Sequence, residues 1–229
     1  ILLDPINLKI KAKTIGSNLI IGDSVVETEN IKTNISIESF LKKDFLIKNL
    51  YISSKSVQIK DLISFARKIR NTPELYLLEK KLKKGFLIFD LNLEFDNSGK
   101  LKENFKLTGF IRDTNIRISE NLIFNKINII FDLNSKSSQF KDIKFNFNDI
   151  PITSQKILIK KLNDNLFVEG HLENRKFSID KKFLDRFLKK FNLINIDLSS
   201  KNEFSFIIHN KFQIKDLKIS SKLKIQNLK

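Results

Sequence analysis

The sequence predicts a mainly β protein: a long, twisted, mostly antiparallel sheet with two or three short helices. Three observations predict it. Apolar and polar residues alternate with period two over much of the chain, which gives each strand one apolar face. The links between these runs are short and polar, as antiparallel neighbours require. Apolar residues at helical spacing are confined to three places.

Strands are expected at 5–12, 17–21, 30–37, 45–53 and 56–60. Within 30–37, Ile31, Ile35 and Ile37 oppose Asn30, Lys32, Asn34 and Ser36. Asp61 reads as the N-cap of a helix over 62–70, with Leu62, Phe65, Ala66 and Ile69 on one face. Thr72-Pro73-Glu74 starts a second helix, a capping residue followed by proline at the first helical position. The clearest strand is 86–95. There Leu87, Phe89, Leu91, Leu93 and Phe95 point one way, and Ile88, Asp90, Asn92 and Glu94 the other. Asp96-Asn97-Ser98-Gly99 then makes a hairpin turn, with Gly99 free to take a positive φ.

Further strands are expected at 104–111, 114–119, 127–133, 138–147, 152–160 and 165–173. Ile127, Ile129, Phe131 and Leu133 share one side of the third of these. A basic amphipathic helix over 181–191 follows Asp180, with Phe183, Leu184, Phe187, Leu188 and Phe191 facing away from Lys181, Lys182, Arg186, Lys189 and Lys190. It fits packing on the sheet or lying on a membrane surface. Strands at 203–210, 212–219 and 222–227 complete the chain. The expected organisation is a strand module over 1–60, a helical insertion over 61–84 and an extended antiparallel sheet over 85–229.

One segment is used twice. Residues 45–55 (Phe-Leu-Ile-Lys-Asn-Leu-Tyr-Ile-Ser-Ser-Lys) and 212–222 (Phe-Gln-Ile-Lys-Asp-Leu-Lys-Ile-Ser-Ser-Lys) are identical at eight of eleven positions. In each copy the apolar phase slips by one residue, between Ile47 and Leu50 and between Ile214 and Leu217. Such a slip requires a bulge or a tight bend.

Composition excludes more than it assigns. With no cysteine in 229 residues, disulfides and thiolate metal sites are ruled out. The net charge of +16 invites a nucleic-acid reading. Only six of the 42 basic residues are arginine, the side chain suited to bidentate phosphate and base contacts. The lysines are scattered through nearly every segment, and Lys, Ile, Asn and Phe together are what AT-rich codons produce. No specific nucleic-acid partner is therefore expected, although exposed lysines suit anionic lipid head groups. The chain begins at Ile1 and contains no methionine, as expected of a mature product or a piece of a longer chain. No run approaches the roughly 18–20 apolar residues of a membrane-spanning helix.

No catalytic constellation is visible, so no enzyme, metal or cofactor is expected. The six glycines are too dispersed for a phosphate-binding loop. His171 and His209 are isolated, and Glu169, two residues from His171, shares a strand face with it in the way chance provides. Asp90, Glu94 and Asp96 read as solvated charges without calcium-loop spacing. The apolar faces are more informative. Twenty-one phenylalanines and no tryptophan line more one-sided strand than two or three helices cover. Such faces are buried either in a sandwich core or in a sheet curled into a groove or half-pipe. An apolar groove suits acyl chains, which bring no hydrogen-bond demands.

Residues 31–60 resemble the recurring unit of the AsmA-like family. Ile31-Lys-Thr-Asn-Ile-Ser-Ile forms a strand, and Glu38-Ser-Phe-Leu-Lys-Lys-Asp a turn with a charged tip. Phe45-Leu-Ile-Lys-Asn-Leu-Tyr-Ile and Val57-Gln-Ile then supply two more strands. Gly109-Phe-Ile-Arg-Asp, Asn115-Ile-Arg-Ile and Ile127-Asn-Ile-Ile-Phe-Asp are similar to a later part of that family. The insertion at 61–84 departs from the pattern. The resemblance makes 1–60 an AsmA-like strand module. It implies a non-enzymatic, periplasmic β-groove protein of a Gram-negative envelope, tethered to the inner membrane by a segment outside this chain. The implied function is phospholipid transport, with phospholipid or another acyl lipid, bacterial membranes and envelope proteins as partners. The alternative is a scaffold for outer-membrane biogenesis without lipid carriage. The acyl contacts expected on this reading are Leu87, Phe89, Leu91, Leu93, Phe95, Ile127, Ile129, Phe131, Leu133, Phe145, Phe147, Phe204 and Phe206.

Overall fold

In a computed structural model, residues 1–4, 9–37, 46–69, 71–120, 122–148, 150–163, 165–180, 195–209 and 213–228 are described, and they form fourteen strands and two helices. The first strands are β1 (Leu2–Asp4), β2 (Lys9–Ile15), β3 (Asn18–Ile21), β4 (Ser24–Ser36), β5 (Ile47–Ser54) and β6 (Val57–Gln58). Helices α1 (Ile59–Ile69) and α2 (Pro73–Lys81) follow. Then come β7 (Leu82–Glu94), β8 (Lys106–Ser119), β9 (Leu122–Asn134), β10 (Ser137–Phe147) and β11 (Ile150–Leu162). The last are β12 (Asn165–Asp180), β13 (Asn195–Ile208) and β14 (Ile214–Leu228). The strand order is β1-β2-β4-β5-β7-β8-β9-β10-β11-β12-β13-β14, with β3 beside β4 and β6 beside β7. The fold is thus mainly β and antiparallel with short helices, as the alternation and short links predict.

Contacts divide the chain into two compact units. One is Ile1–Ile116 with Ile130–Lys136, and the other is Arg117–Ile129 with Ser137–Lys229. β8 and β9 therefore each contribute to both.

Several strands are longer than alternation alone suggests. The expected pair 104–111 and 114–119 is the single strand β8, and the expected pair 212–219 and 222–227 is β14. The breaks in apolar phase are absorbed inside the strands by residues in the left-handed region: Asp113 (φ 50°), Lys126 (φ 53°), Asp142 (φ 47°) and Asp216 (φ 51°). Three of the four are aspartate, whose short polar side chain tolerates this conformation better than a bulky one. β12 runs on to Asp180, and β13 begins at Asn195 in the polar run Asn-Ile-Asp-Leu-Ser-Ser-Lys-Asn. The expected helix over 181–191 and the charged turn over 38–44 lie outside the described residues.

Both copies of the repeated segment carry the bulge that their phase slip requires. β5 shifts register on β4 between Asn34 and Ile35, where Asn49 and Ile47 pair. β14 shifts on β13 between Ser205 and Ile207, where Lys218 and Lys215 pair. In each copy the extra residue bulges against the preceding strand.

The helices cover one end of the first unit's apolar face. α1 packs against β4, β6 and β7, and Val26, Thr28, Ser54, Val57, Ile63, Leu82 and Thr114 are buried there. Ile63, outside the expected stripe, is buried in α1, one turn after Ile59. The expected N-cap, Asp61, instead lies within the first helical turn, because the helix begins directly after β6 at Ile59. A carboxylate there still complements the positive end of the helix. Thr72 does cap α2: its Oγ1 accepts from Leu75 N–H at 3.4 Å, ahead of Pro73. Gly85 is fixed by this packing, since a Cβ would fall 2.2 Å from Thr114 Oγ1 and 3.0 Å from Ile59 Cδ1.

One buried hydroxyl closes a gap in the ladder. β5 pairs with β7 as far as Ser53–Asp90, and β6 takes over at Val57–Leu87. Between them Phe89 N–H donates to Ser54 Oγ at 2.8 Å. Ser54 is 1 % exposed, so water has no access to that amide. Ser54→Ala is expected to cost about 2 kcal/mol in urea unfolding, the penalty for an orphaned buried donor.

The hairpin after β7 forms as its sequence specifies. Asp96 Oδ1 accepts from Ser98 N–H at 2.8 Å, Ser98 Oγ–H at 2.7 Å and Lys100 N–H at 3.0 Å, and Gly99 takes φ 78°. The Ser98 hydroxyl, then the Lys100 and Ser98 amides, hold the Asp96 carboxyl below its ordinary 3.8. A folded-state value below the unfolded one adds stability that is present above about pH 4 and is lost as pH falls through the folded value. A carboxyl-carbon NMR titration is expected to place Asp96 below a free aspartate, and Ser98→Ala to move it back up.

Candidate functional site

In the first unit, strand register aligns the β7 candidates with apolar residues on both neighbours. Leu93 faces Leu50, and Leu91 faces Ile52 on β5 and Leu107 on β8. Phe89 faces Gly109, and Leu87 faces Ile111. Ile52 in turn faces Ile31 on β4. Apolar side chains thus continue from strand to strand at the same level, because antiparallel partners directly opposite share a face. The sequence reading named the β7 members and missed Leu50, Ile52, Leu107 and Ile111. Alternation marks them as apolar-face residues, but only register tells which strand they accompany.

Gly109 supplies a depression in this face that Phe131 fills. A Cβ on Gly109 would stand 2.8 Å from Phe131 Cζ and 2.1 Å from the Ile88 carbonyl oxygen. Phe131 and Phe89 are buried. Phe95 sits beyond the end of β7, bridged to Leu101, with its N–H donating to Lys48 O at 2.9 Å.

The second unit brings together two aromatic groups. Phe145 and Phe147 face Ile152 and Ile150 across β10–β11. Both rings meet Phe124, at centroid distances of 5.9 and 5.1 Å. Phe124 escaped the sequence reading because the kink at Lys126 divides it from the run that begins at Ile127. Phe204 and Phe206 lie side by side at 6.0 Å, near-parallel, facing Gly170 and Val168 on β12. Gly170 repeats the role of Gly109: its Cβ would stand 3.0 Å from Phe204 Cζ.

Burial separates the candidates into two kinds. Phe89, Ile127 and Phe131 are buried and fill the core. The other ten are half-buried, accessible to solvent along one side. A sandwich core would bury such faces fully. Among the described residues of each unit, the elements in extensive contact are sheet neighbours, or α1 and α2 with one another and with nearby strands.

The opposite faces carry polar and ion-paired side chains, together with Ile88 and Phe110, which pair across β7–β8. Tyr51 Oη donates to Asp90 Oδ1 at 2.8 Å, and Lys32 lies 5.0 Å above the Tyr51 ring. Burial, then the bond to Asp90, pushes the Tyr51 hydroxyl above its ordinary 10.0. On β12, Glu169 pairs with Lys160 at 3.3 Å, while His171 Nε2 accepts from Gln155 N–H at 3.1 Å. The two side chains, which share a face, are each engaged elsewhere. They border an open hollow of about 500 Å³ that includes Glu203, Ser205 and Lys218. Among the described residues, no group of three His, Asp or Glu is placed to hold a metal ion, and no helix is long and apolar enough to cross a membrane. No family model matches the chain, and neither a curated protein nor a solved structure is found to match it.

Proposed function

We propose that this chain is a non-enzymatic lipid-binding protein that carries the acyl chains of phospholipid on the apolar face of its sheet. The observation that carries the reading is the half-burial of Leu87, Leu91, Leu93, Phe145, Phe147, Phe204 and Phe206 on apolar strand faces. Each acyl methylene withdrawn from water onto such a face contributes about 0.8 kcal/mol, and the lining asks for no hydrogen bond in return. The resemblance to the AsmA-like family supports the same reading and adds the setting: the periplasm of a bacterial envelope, with the inner-membrane tether outside this chain.

Native mass spectrometry of the purified protein, followed by solvent extraction, is expected to find bound phospholipid. Leu91→Asp combined with Phe145→Asp is expected to remove it while leaving cooperative unfolding in place. A lipid-free protein that takes up no phospholipid from vesicles would sink the proposal.

A further inference from the structure

Helix α2 carries more apolar side chain than its packing covers. It packs on α1 and touches the start of β7. Toward that side Leu75 is half-buried, Leu82 at the C-cap is buried, and Glu79 is ion-paired with Arg67 of α1. Yet Tyr76, Leu77 and Leu78 are 40 %, 55 % and 41 % exposed. A helix has about 3.6 residues per turn, so three consecutive exposed residues take up more than half of its circumference. Cations surround them. Lys80 and Lys81 on the next turn, and Lys83 and Lys84 at the start of β7, are exposed as well. Arg67 and Lys80 both lie against the Tyr76 ring, 5.0 and 4.5 Å from its centre. From Arg67 to Lys84 there are seven basic residues and two acidic ones, Glu74 and Glu79, and Glu79 is committed to Arg67.

From this juxtaposition we infer that α2 docks the protein on an anionic bilayer, with Leu77 and Leu78 in the interfacial layer and the lysines at the lipid phosphates. Exposed leucine rimmed by lysine is the make-up of a helix that lies in the plane of a membrane. The leucines gain by leaving water. The lysine stems can follow them down while each ammonium stays with the head groups. A tyrosine, with an apolar ring and a polar tip, suits the boundary between the two. Nine residues are too few to hold a helix alone in water. Here the Thr72 cap and the packing on α1 hold α2 beforehand, so docking bears no cost of folding it. The excess of cations argues against a second copy of this chain, which would bring the same charge to the contact. A protein partner would have to set an apolar pocket and a carboxylate at fixed places, whereas an anionic bilayer offers both at every point of its surface. The inference does not depend on lipid carriage by the sheet.

The chain contains no tryptophan, so Leu77→Trp places a single reporter on this face. With vesicles of phosphatidylcholine mixed with phosphatidylglycerol, its emission is expected to shift to the blue and to be quenched by brominated acyl chains. Vesicles of phosphatidylcholine alone are expected to give much less of both. In flotation with the mixed vesicles, Leu77→Ser with Leu78→Ser is expected to weaken binding about thirtyfold, and Lys80→Gln with Lys81→Gln about tenfold. All four side chains are exposed, so circular dichroism and the urea midpoint should be unchanged. Leu91→Asp with Phe145→Asp, added to the reporter protein, is expected to leave the emission shift in place, which separates docking from lipid carriage. An emission that stays red with the mixed vesicles, or flotation that neither α2 variant weakens, would overturn the inference. So would a reporter protein that sediments as a dimer with its emission already blue, because a second copy would then cover the helix.

Discussion

Gly109→Ala is expected to destabilise the first unit by about 3 kcal/mol, at the upper end of the cost of overpacking. The added Cβ would stand 2.1 Å from the Ile88 carbonyl oxygen and 2.9 Å from Phe89 Cα, both backbone atoms of the paired strand β7. Neither can yield without separating β7 from β8. The third neighbour, Phe131 Cζ at 2.8 Å, belongs to a buried ring. Two other glycines calibrate the effect. At Gly170 the nearest atoms are Ile157 Cγ1 (2.9 Å) and Phe204 Cζ (3.0 Å), on side chains that can give way, with the Lys156 carbonyl oxygen farther off at 3.2 Å, so alanine there is expected to cost about 1 kcal/mol. At Gly16 (φ 67°) the space is open, and only the left-handed backbone opposes alanine, at about 1 kcal/mol. Urea midpoints for the three variants check the order. A cost at Gly109 no larger than at Gly16 would mean that Phe131 does not rest there.

Phe131→Asp and Phe145→Asp are expected to part company, although both fall on the predicted lipid face. Phe131 is 6 % exposed, and a carboxylate in its place is deprived of water. A loss of about 4 kcal/mol or outright failure to fold is expected. Phe145 is half-buried beside Phe124, so aspartate there reaches solvent at a cost of about 1 kcal/mol in lost aromatic contact. Phe145→Asp, alone or with Leu91→Asp, therefore yields a folded protein whose lipid content can be measured. If that protein keeps its phospholipid in full, the apolar strand face is not the binding surface.

Much of the fold was legible because alternation is a local property. Phe86–Phe95 had to be a strand with Leu91 and Phe89 on one side, whatever it packed against. The Asp96–Gly99 turn and the Thr72-Pro73 helix start are likewise settled by three or four adjacent residues. Even the bulges in β5 and β14 were legible, since a one-residue slip in apolar phase has few solutions within a paired strand. The strand ends were harder to read. Asp113, Lys126 and Asp216 look like breaks in a pattern. A strand can pass through such a residue when its neighbours hold the ladder on either side, and those neighbours are distant in sequence. Asn195–Asn202 has little alternation of its own and is a strand because β12 and β14 pair with it.

The site divides in the same way. Alternation already puts Leu87, Phe89, Leu91, Phe131, Phe145 and Phe204 on apolar strand faces, because period two follows from backbone geometry alone. The packing of the folded chain makes Phe89 and Phe131 core while Leu91 and Phe145 stay half-exposed. It likewise decided that Ile52 is covered while Ile219, in the same run of residues, is not. The physical reason is that a residue's face is set by its own strand, whereas its burial is set by what lies beside and above that strand. Two nearly identical segments can share the first and differ completely in the second.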